Sequence, residues 1–530
     1  MGVHIGEAPG KEQTVIAVAE APEFQKVTWY KDPGLRRLYL VSVFGLMVAS
    51  ATTGYDGSLL NTVQSMNFWE DYYDQIGVDK TKSNLLGLLT NMFTIGSIVS
   101  MFIVPPITDR WGRKPPIIGG CVFMIVGGVI SALAKNYGTL CAGRFILGFG
   151  NSLAQLTSPM LLTEIIHPQH RAPVTAVYNC LWNLGSLIVT FVGWGTSYVM
   201  SDWSWRSITL LQIVPSVCQL AFIWWVPESP RWLISRDRNE EALQMLAKYH
   251  ANGNDQNSTV QFEYREIRET LELERTARDN SSYLDFMKTK GNRWRLAIIV
   301  SVGLISQYSG NAVISNYMNL IYEGAGIKDQ NKKLGISAGK TVLDLSCSIG
   351  AAFMVDRIGR RPLFLTAISG MIVAFGLWTV MAAMYDKTGG ANQYGYTQIV
   401  FVWLFGVFYD IGFSGLLVAY TLEVLPFHLR AKGIMIMNIT VQATLALGGQ
   451  TNALAWNNLP AHWNFALFYT LWDVVEGIWI YFVYVETKGP TLEEIAKIFD
   501  GEDAVAHIDL HQVEKEIELD HAELDRKHEL

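Results

Sequence analysis

Hydrophobic positions in this chain come in long blocks, not in alternation. Residues 173–201, 207–227, 296–322, 362–385 and 433–461 contain no Asp, Glu, Lys or Arg. A helix needs about 20 mostly apolar residues to cross the hydrocarbon of a bilayer, so each block predicts a membrane span. Carried along the whole chain, the pattern predicts twelve spans, at 38–60, 84–107, 116–134, 139–163, 173–199, 207–227, 296–322, 334–355, 362–385, 396–424, 433–456 and 463–485. Polar stretches divide them into an N-terminal segment (1–37), a six-span bundle (38–227), a linker (228–293), a second six-span bundle (294–485) and an acidic tail (486–530). Within the linker, Glu240–Lys248 reads as an amphipathic helix. Phe262–Arg278, dense in Glu and Arg at three- and four-residue spacing, reads as another. The tail is expected to be disordered.

An even number of spans puts both termini on one side. Lys26, Lys31, Arg36 and Arg37 precede the first span, Arg110, Arg113 and Lys114 join the second to the third, and Arg231, Arg236 and Arg238 follow the sixth. The positive-inside rule makes that side cytoplasmic. The opposite loops carry Glu70, Asp71, Asp74, Asp79 and Asp202. The chain is 50% apolar and only 17% charged, against about 25% charged in soluble domains, which excludes an ordinary soluble fold. The net charge of −7 gives no reason to expect nucleic acid as a partner. The five cysteines (Cys121, Cys141, Cys180, Cys218, Cys347) lack ligand spacing, as do His507, His511, His521 and His528 in the tail, so no metal or cofactor is expected. No nucleophile–base set suggests an enzyme. The N-terminus lacks the layout of a cleaved signal peptide, which leaves the first span as the targeting signal.

One motif occurs twice. Asp109-Arg110-Trp111-Gly112-Arg113-Lys114-Pro115 returns as Asp356-Arg357-Ile358-Gly359-Arg360-Arg361-Pro362, each time between two apolar segments. Glu164 and Arg171 close one span, and Glu423 and Arg430 close another at the same spacing. Two related halves with charged clamps at helix ends suggest a machine that rocks around a central site.

Ionisable side chains are costly in hydrocarbon and mark functional positions. Asp56, Arg144, Asp344, Asp410, Asp473 and Glu476 fall well inside spans. Asp56, in Thr53-Gly54-Tyr55-Asp56-Gly57, and Arg144 are expected to pair. Protonating Asp56 would break that pair, as a proton carrier requires; a permanent structural pair is the alternative. Asp473 and Glu476 share a helix face and favour a common proton. They either line the cavity or pair with a cation elsewhere.

A sugar presents hydroxyls and flat apolar ring faces, so its site needs amides and aromatics. Gln155, Asn179, Trp182, Asn183, Gln307, Tyr308, Asn311, Asn316, Asn438 and Gln442 supply them from the middle of spans. Asn179 and Asn183, Gln307 and Asn311, and Asn438 and Gln442 each stand one helical turn apart and face one way. The alternative for any single buried amide is interhelical glue.

These residues carry a resemblance to the sugar porters of the major facilitator superfamily over about residues 30–490. It rests on the doubled motif, Gly143-Arg144, Pro227-Glu228-Ser229-Pro230-Arg231, Glu423 to Arg430, and Glu486-Thr487-Lys488-Gly489. Within that family the chain is similar to fungal lactose and cellodextrin permeases, through Ala51–Gly57, Tyr178–Asn183, Asp202–Arg206 and Leu246–Gly253. The resemblance implies an all-α membrane protein of the major facilitator fold, with two pseudo-symmetric six-helix bundles around a cavity. It implies proton coupling at Asp56 and Arg144, and sugar contacts at Asn179 and Gln307, with Asp344 replacing a polar residue of the eighth helix. Asp109, Arg113, Glu164, Arg171, Glu228, Arg231, Asp356, Arg360, Glu423, Arg430 and Glu486 fall on a cytoplasmic gate thought to lock the outward-open state.

Two departures bear on substrate. The seventh helix has Ser306-Gln307 in place of paired glutamines. The tenth has Phe413-Ser414-Gly415-Leu416-Leu417-Val418, without the family's Gly-Pro and Trp. The missing bulk favours a longer, β-linked sugar, with Trp182, Trp403 or Tyr420 as the stacking face. The expectation is a plasma-membrane, multi-pass proton symporter, monomeric in the bilayer, importing cellobiose, cellodextrins or lactose by alternating access. Facilitated diffusion on the same fold and a transporter-like sugar sensor are the alternatives.

Overall fold

Hydrocarbon offers no partner for a free backbone N–H or C=O, so apolar blocks of this length must cross as helices. The computed structural model describes residues 27–73, 83–279, 282–426, 429–459, 461–488 and 492–501. The first six spans are Pro33–Gln64, Ser83–Trp111, Lys114–Leu133, Tyr137–Ile165, Pro168–Thr196, and Trp203–Leu211 continued by Ile213–Phe222. The second six are Lys290–Tyr308 continued by Asn311–Gly324, Gln330–Ile358, Arg360–Lys387, Asn392–Gly412 continued by Leu416–Val424, Arg430–Asn458 and His462–Val483. Among the described residues, eight of these are long and apolar enough to cross a membrane by that criterion alone. The fourth, sixth, eighth and eleventh fall outside it. The sixth is interrupted at Gln212, and the fourth and eighth carry charges in their interiors, Arg144 and the Lys340–Asp344 pair.

Packing repeats with a six-span offset. The second span lies on the fourth as the eighth lies on the tenth. The third lies on the fourth and sixth as the ninth lies on the tenth and twelfth, and the first on the fifth as the seventh on the eleventh. The halves meet through the second span on the eleventh and, in the symmetry-related place, the fifth on the eighth. Backbones approach closely where the first and fifth spans cross. A Cβ on Gly54 would stand 1.9 Å from the Trp182 carbonyl oxygen, and one on Gly185 2.0 Å from that of Ala51. Small residues allow this approach where helices attract mainly through packing.

The seventh span departs from the continuous helix its apolar pattern predicts. It breaks at Ser309 and Gly310, where Gly310 adopts φ 99°. A second irregularity follows at Tyr317 (φ −130°, ψ 28°). The tenth span likewise breaks between Gly412 and Leu416.

The linker folds as Pro230–Ser235, Asn239–His250, Ser258–Asp279 and Asp285–Lys288, so both expected helices form, slightly extended. Leu246, Ala247, Tyr249 and Val260 pack into the first half's core. The acidic tail corrects one expectation. Leu492–Asp500 is a helix, with Ile495 and Phe499 buried. Arg295, only 2% exposed at the base of the seventh span, forks onto Asp500 at 3.0 and 2.7 Å and lies over the Phe499 ring. Two apolar residues one turn apart were the signal for that helix in an otherwise charged stretch.

Candidate functional site

Three levels along the spans carry polar chemistry. At the end that holds the basic loops, both copies of the repeated motif build the same clamp. Arg113 forks onto Glu164 (Nε and Nη2, both 3.2 Å), and Arg360 forks onto Glu423 (3.1 and 2.9 Å). The Glu228 carboxylate accepts from the backbone N–H groups of Arg113 (3.0 Å) and Lys114 (3.3 Å) at the start of the third span. Glu486 does the same for Arg360 (3.0 Å) and Arg361 (3.1 Å) at the start of the ninth. Free N–H groups and the positive end of a helix dipole favour a carboxylate there. The motif glycines are needed twice over. Gly112 and Gly359 sit at φ 95° and 104°, and a Cβ on either would stand 2.8 or 3.0 Å from the Glu228 or Glu486 carboxylate.

The Asp109 carbonyl accepts from Trp232 Nε1 (3.2 Å) and Arg236 (2.9 Å). Arg430 donates to the Leu425 carbonyl (3.2 Å). Arg171 is exposed and Arg231 half-buried. The Asp356 side chain lies outside the described residues. Both clamps therefore bind within a half, fixing helix ends to each other.

The opposite end joins the halves. Asn61 of the first span donates to the Ser315 carbonyl (3.0 Å) and accepts from Met318 N–H (3.1 Å). Gln64 reaches the Asn316 carbonyl (3.4 Å), and Gln450 of the eleventh span reaches Asn84 of the second (3.4 Å), while within the second half Tyr317 donates to the Gly449 carbonyl. Gln330 bridges Asn67 N–H and the Ser197 carbonyl. The half-helix after the break at Gly310 thus lies across this end as a lid. Described hydrogen bonds between the halves gather here and, once, near the middle. The conformation is closed at the far end.

Between these levels lies the predicted site. Gln155 accepts from Thr53 (3.0 Å) and Tyr178 (3.1 Å), and Thr53 also donates to Asn151 (2.9 Å). Asn311 donates to Gln307 across the seventh-span break (3.0 Å) and accepts from Ser315 (3.3 Å). Asn316 donates to its own helix at the Ala312 carbonyl. Asn183, 7% exposed, donates to Ser348 of the other half at 2.6 Å. Asn179 and Trp182 are exposed, while Asn438 and Gln442 are half-buried. Tyr308 is half-buried. Its ring packs on Tyr469 and Trp472 of the twelfth span, inside the second half.

The intramembrane charges divide unevenly. In the first half, Asp56 is 1% exposed and neither carboxylate oxygen has a hydrogen-bond partner. Arg144 is 7% exposed, its Nε is unpartnered, and its guanidinium lies 5.1 Å over the Phe93 ring. The expected Asp56–Arg144 ion pair is not made in this conformation. Arg144 instead lines a cavity of about 30 Å³ with Ser131, Trp205, Thr209 and Gln212. In the second half, Asp344 pairs with Lys340 at 2.6 Å. Asp473 and Glu476 are fully buried on the twelfth span, where only Glu476 has a described partner, Trp472 Nε1 at 2.6 Å. Lys340 was missed in the sequence, although Lys and Asp four residues apart on one helix face were the available signal. Ser348 and Asn61 carried none, being single polar residues in polar-flecked spans.

A buried carboxylate without a counter-ion binds a proton, and amides at a break in a helix bind hydroxyls or ions. The family of sugar (and other) transporters matches residues 42–499. The chain is 27% identical over 462 residues to the MFS-type transporter criB of Aspergillus cristatus, covering 87% of this chain and 93% of that one. It is 25% identical over 493 residues to a high-affinity glucose transporter of Kluyveromyces lactis, covering 89% and 87%. It is 24% identical over 499 residues to the probable polyol transporter 6 of Arabidopsis thaliana, covering 90% and 98%. Among solved structures, the inward-open xylose transporter XylE from E. coli superposes with a TM-score of 0.72 at 20% identity, over 87% of this chain and 100% of that one. With twelve spans repeating in two sixes and a family match over nearly all of them, the chain belongs to the sugar (and other) transporter family, as a membrane transporter of the major facilitator type and not an enzyme.

Proposed function

We propose that this transporter imports β-linked disaccharides and short oligosaccharides (cellobiose, cellodextrins or lactose) together with a proton across the plasma membrane. The single observation that carries the coupling is Asp56, buried, with both oxygens unpartnered and with Arg144 turned to other neighbours. A carboxyl group in that setting is held neutral by a proton, whereas one paired with Arg144 is held ionised. Alternation between the two settings moves one proton per cycle. Each proton contributes about 2.3 kcal/mol per 100 mV, enough to concentrate sugar about fifty-fold.

The sugar reading rests on Gln155, Asn179, Asn183, Gln307 and Asn311, which present amides near the middle of the fold. A longer substrate is supported by the tenth-span break at Phe413–Gly415, where no Pro or Trp fills the space. With the basic loops cytoplasmic, the far-end lid is the extracellular gate, and the conformation faces inward. Asp109, Arg113, Glu164, Arg171, Glu228, Arg231, Asp356, Arg360, Glu423, Arg430 and Glu486 then belong to the cytoplasmic gate. The transporter works as a monomer.

The test is uptake of labelled mono- and disaccharides into proteoliposomes with and without a pH gradient. Gradient-driven accumulation of a β-disaccharide is expected, and a rate indifferent to the gradient and to an uncoupler would sink the coupling. The glucose and polyol relatives favour a second reading, a smaller polyhydroxyl substrate; the same panel decides between them.

A further inference from the structure

The second half buries more acid than base. Lys340 is the ammonium beside Asp344 and Asp410, and the surplus carboxylate is Asp410. Asp410 lies in the tenth span, 8% exposed, with Oδ2 unpartnered. Lys340 and Asp344 lie opposite on the eighth span. Their contact with the tenth is visible at Gly406, where a Cβ would stand 3.2 Å from Asp344 Oδ1 and 3.4 Å from Lys340 Nζ. Gly406 and Asp410 are one turn apart on the same face. The charged pair therefore abuts the tenth span one turn from the lone carboxylate. Asp344 Oδ1 is also unpartnered. The other titratable groups facing this cluster are Cys347 of the eighth span, Tyr409 of the tenth and Tyr322 of the seventh.

Ser348 links the cluster to the other half. Its oxygen accepts from Asn183 Nδ2 at 2.6 Å, which leaves its own O–H to donate, and Asp410 lies within its reach. Fifth and eighth spans form one of the two principal seams between the halves.

We propose that Asp410 is a second proton-binding site of this transporter, tied through Ser348 and Asn183 to the contact between its halves. Oδ2 takes a proton from water and returns it to water, and no other bond is made or broken. Ionised Asp410 is the stronger acceptor for the Ser348 hydroxyl. A hydroxyl that donates strongly also accepts more strongly, so the ionised state tightens the Asn183–Ser348 bridge and protonation slackens it. Linkage makes this reciprocal: forming the bridge expels the proton. The proton is thus given up in the conformation seen here and taken up where the seam has parted. This goes beyond the role proposed for Asp56 and does not depend on it.

Infrared difference spectra of the lipid-reconstituted protein, titrated from acid to alkaline pH without sugar, test the assignment. Asp410→Asn is expected to remove one protonated-carboxyl carbonyl band that Asp56→Asn leaves in place. Ser348→Ala is expected to keep that band, shift its frequency, and move its titration midpoint to higher pH, because the ionised form loses a hydrogen bond. A spectrum of Asp410→Asn that superimposes on the wild type overturns the site. An unmoved midpoint in Ser348→Ala overturns the link to the seam. Should Asp410→Asn fail to fold, the Ser348→Ala band, measured with the carboxylate intact, decides both. Loss of proton-driven uptake in Asp56→Asn addresses the other carboxylate and leaves this band untouched.

Discussion

The two halves are near copies at the basic end and differ in the middle. Arg113–Glu164 with Glu228 over Gly112 matches Arg360–Glu423 with Glu486 over Gly359, group for group and within a few tenths of an ångström. Inside the membrane the first half holds one acid and one base, Asp56 and Arg144, while the second holds the Lys340–Asp344 pair and Asp410, with Asp473 and Glu476 apart on the twelfth span. A rocking machine needs both rockers hinged alike, so the ends are constrained to match. Its cargo and its driving ion are not symmetric, so the middle is free to diverge.

The sharpest test lies in the middle. Asp56→Asn is expected to remove the share of accumulation that one proton drives, about fifty-fold at 100 mV, while exchange of labelled for unlabelled sugar continues. Accumulation that survives would move the coupling to the second half. At the ends, Gly112→Ala and Gly359→Ala should each cost about 1–3 kcal/mol, since both force a side chain into a glycine-only conformation against a carboxylate. The two should lower thermal stability alike. A large drop in one and none in the other would show that the matched clamps are matched only in appearance.

A smaller, pH-dependent effect is expected where the linker meets the first half. His167 is 1% exposed, and burial away from water, with His250 beside it, pushes its imidazole down to about 4. Its Nδ1 accepts from Gln169 N–H, which requires the neutral ring. Unfolded, it would titrate near 6.5. Because the folded value is the lower one, its contribution is complete above about pH 6.5 and is lost as pH falls toward 4. Hydrogen exchange across 258–279 should rise in that window, and less so in His167→Gln. The second half has no counterpart to this linker among the described residues, so its exchange should stay flat. The smallest effect belongs to Arg238→Ala. Its bridge to Glu241 (2.6 Å) is fully exposed, and the melting temperature should not change measurably.

Most of the architecture was legible because hydrocarbon imposes a single rule, a long apolar run must be a helix, and the chain obeys it block by block. The clamps were legible because the charged motif recurs with its Asp, Gly, Arg and Pro at the same spacing. Breaks in helices were not. Ser309-Gly310 and Ser414-Gly415 are ordinary small residues in apolar text, and for the first break only the packing of Phe375 against Gly310, where a Cβ would stand 2.4 Å from the ring, shows why the chain turns there. Pairing was illegible for a related reason. Asp56 and Arg144 are separated by two other spans in sequence, and whether they touch depends on conformation. The contacts of Tyr308 with Tyr469 and Trp472 were illegible in the same way, because they join residues far apart in sequence.

The short helix after the last span has a practical meaning for handling the molecule. Arg295 is almost wholly enclosed, and Asp500 is its carboxylate partner at the base of the seventh span. Any shortened or reporter-tagged version that ends soon after Lys488 would strand that guanidinium without its counter-charge, at the foot of the helix whose upper half forms the lid. Fusion points belong beyond Gly501, and a version cut earlier would be a different protein at its hinge even though every membrane span is intact.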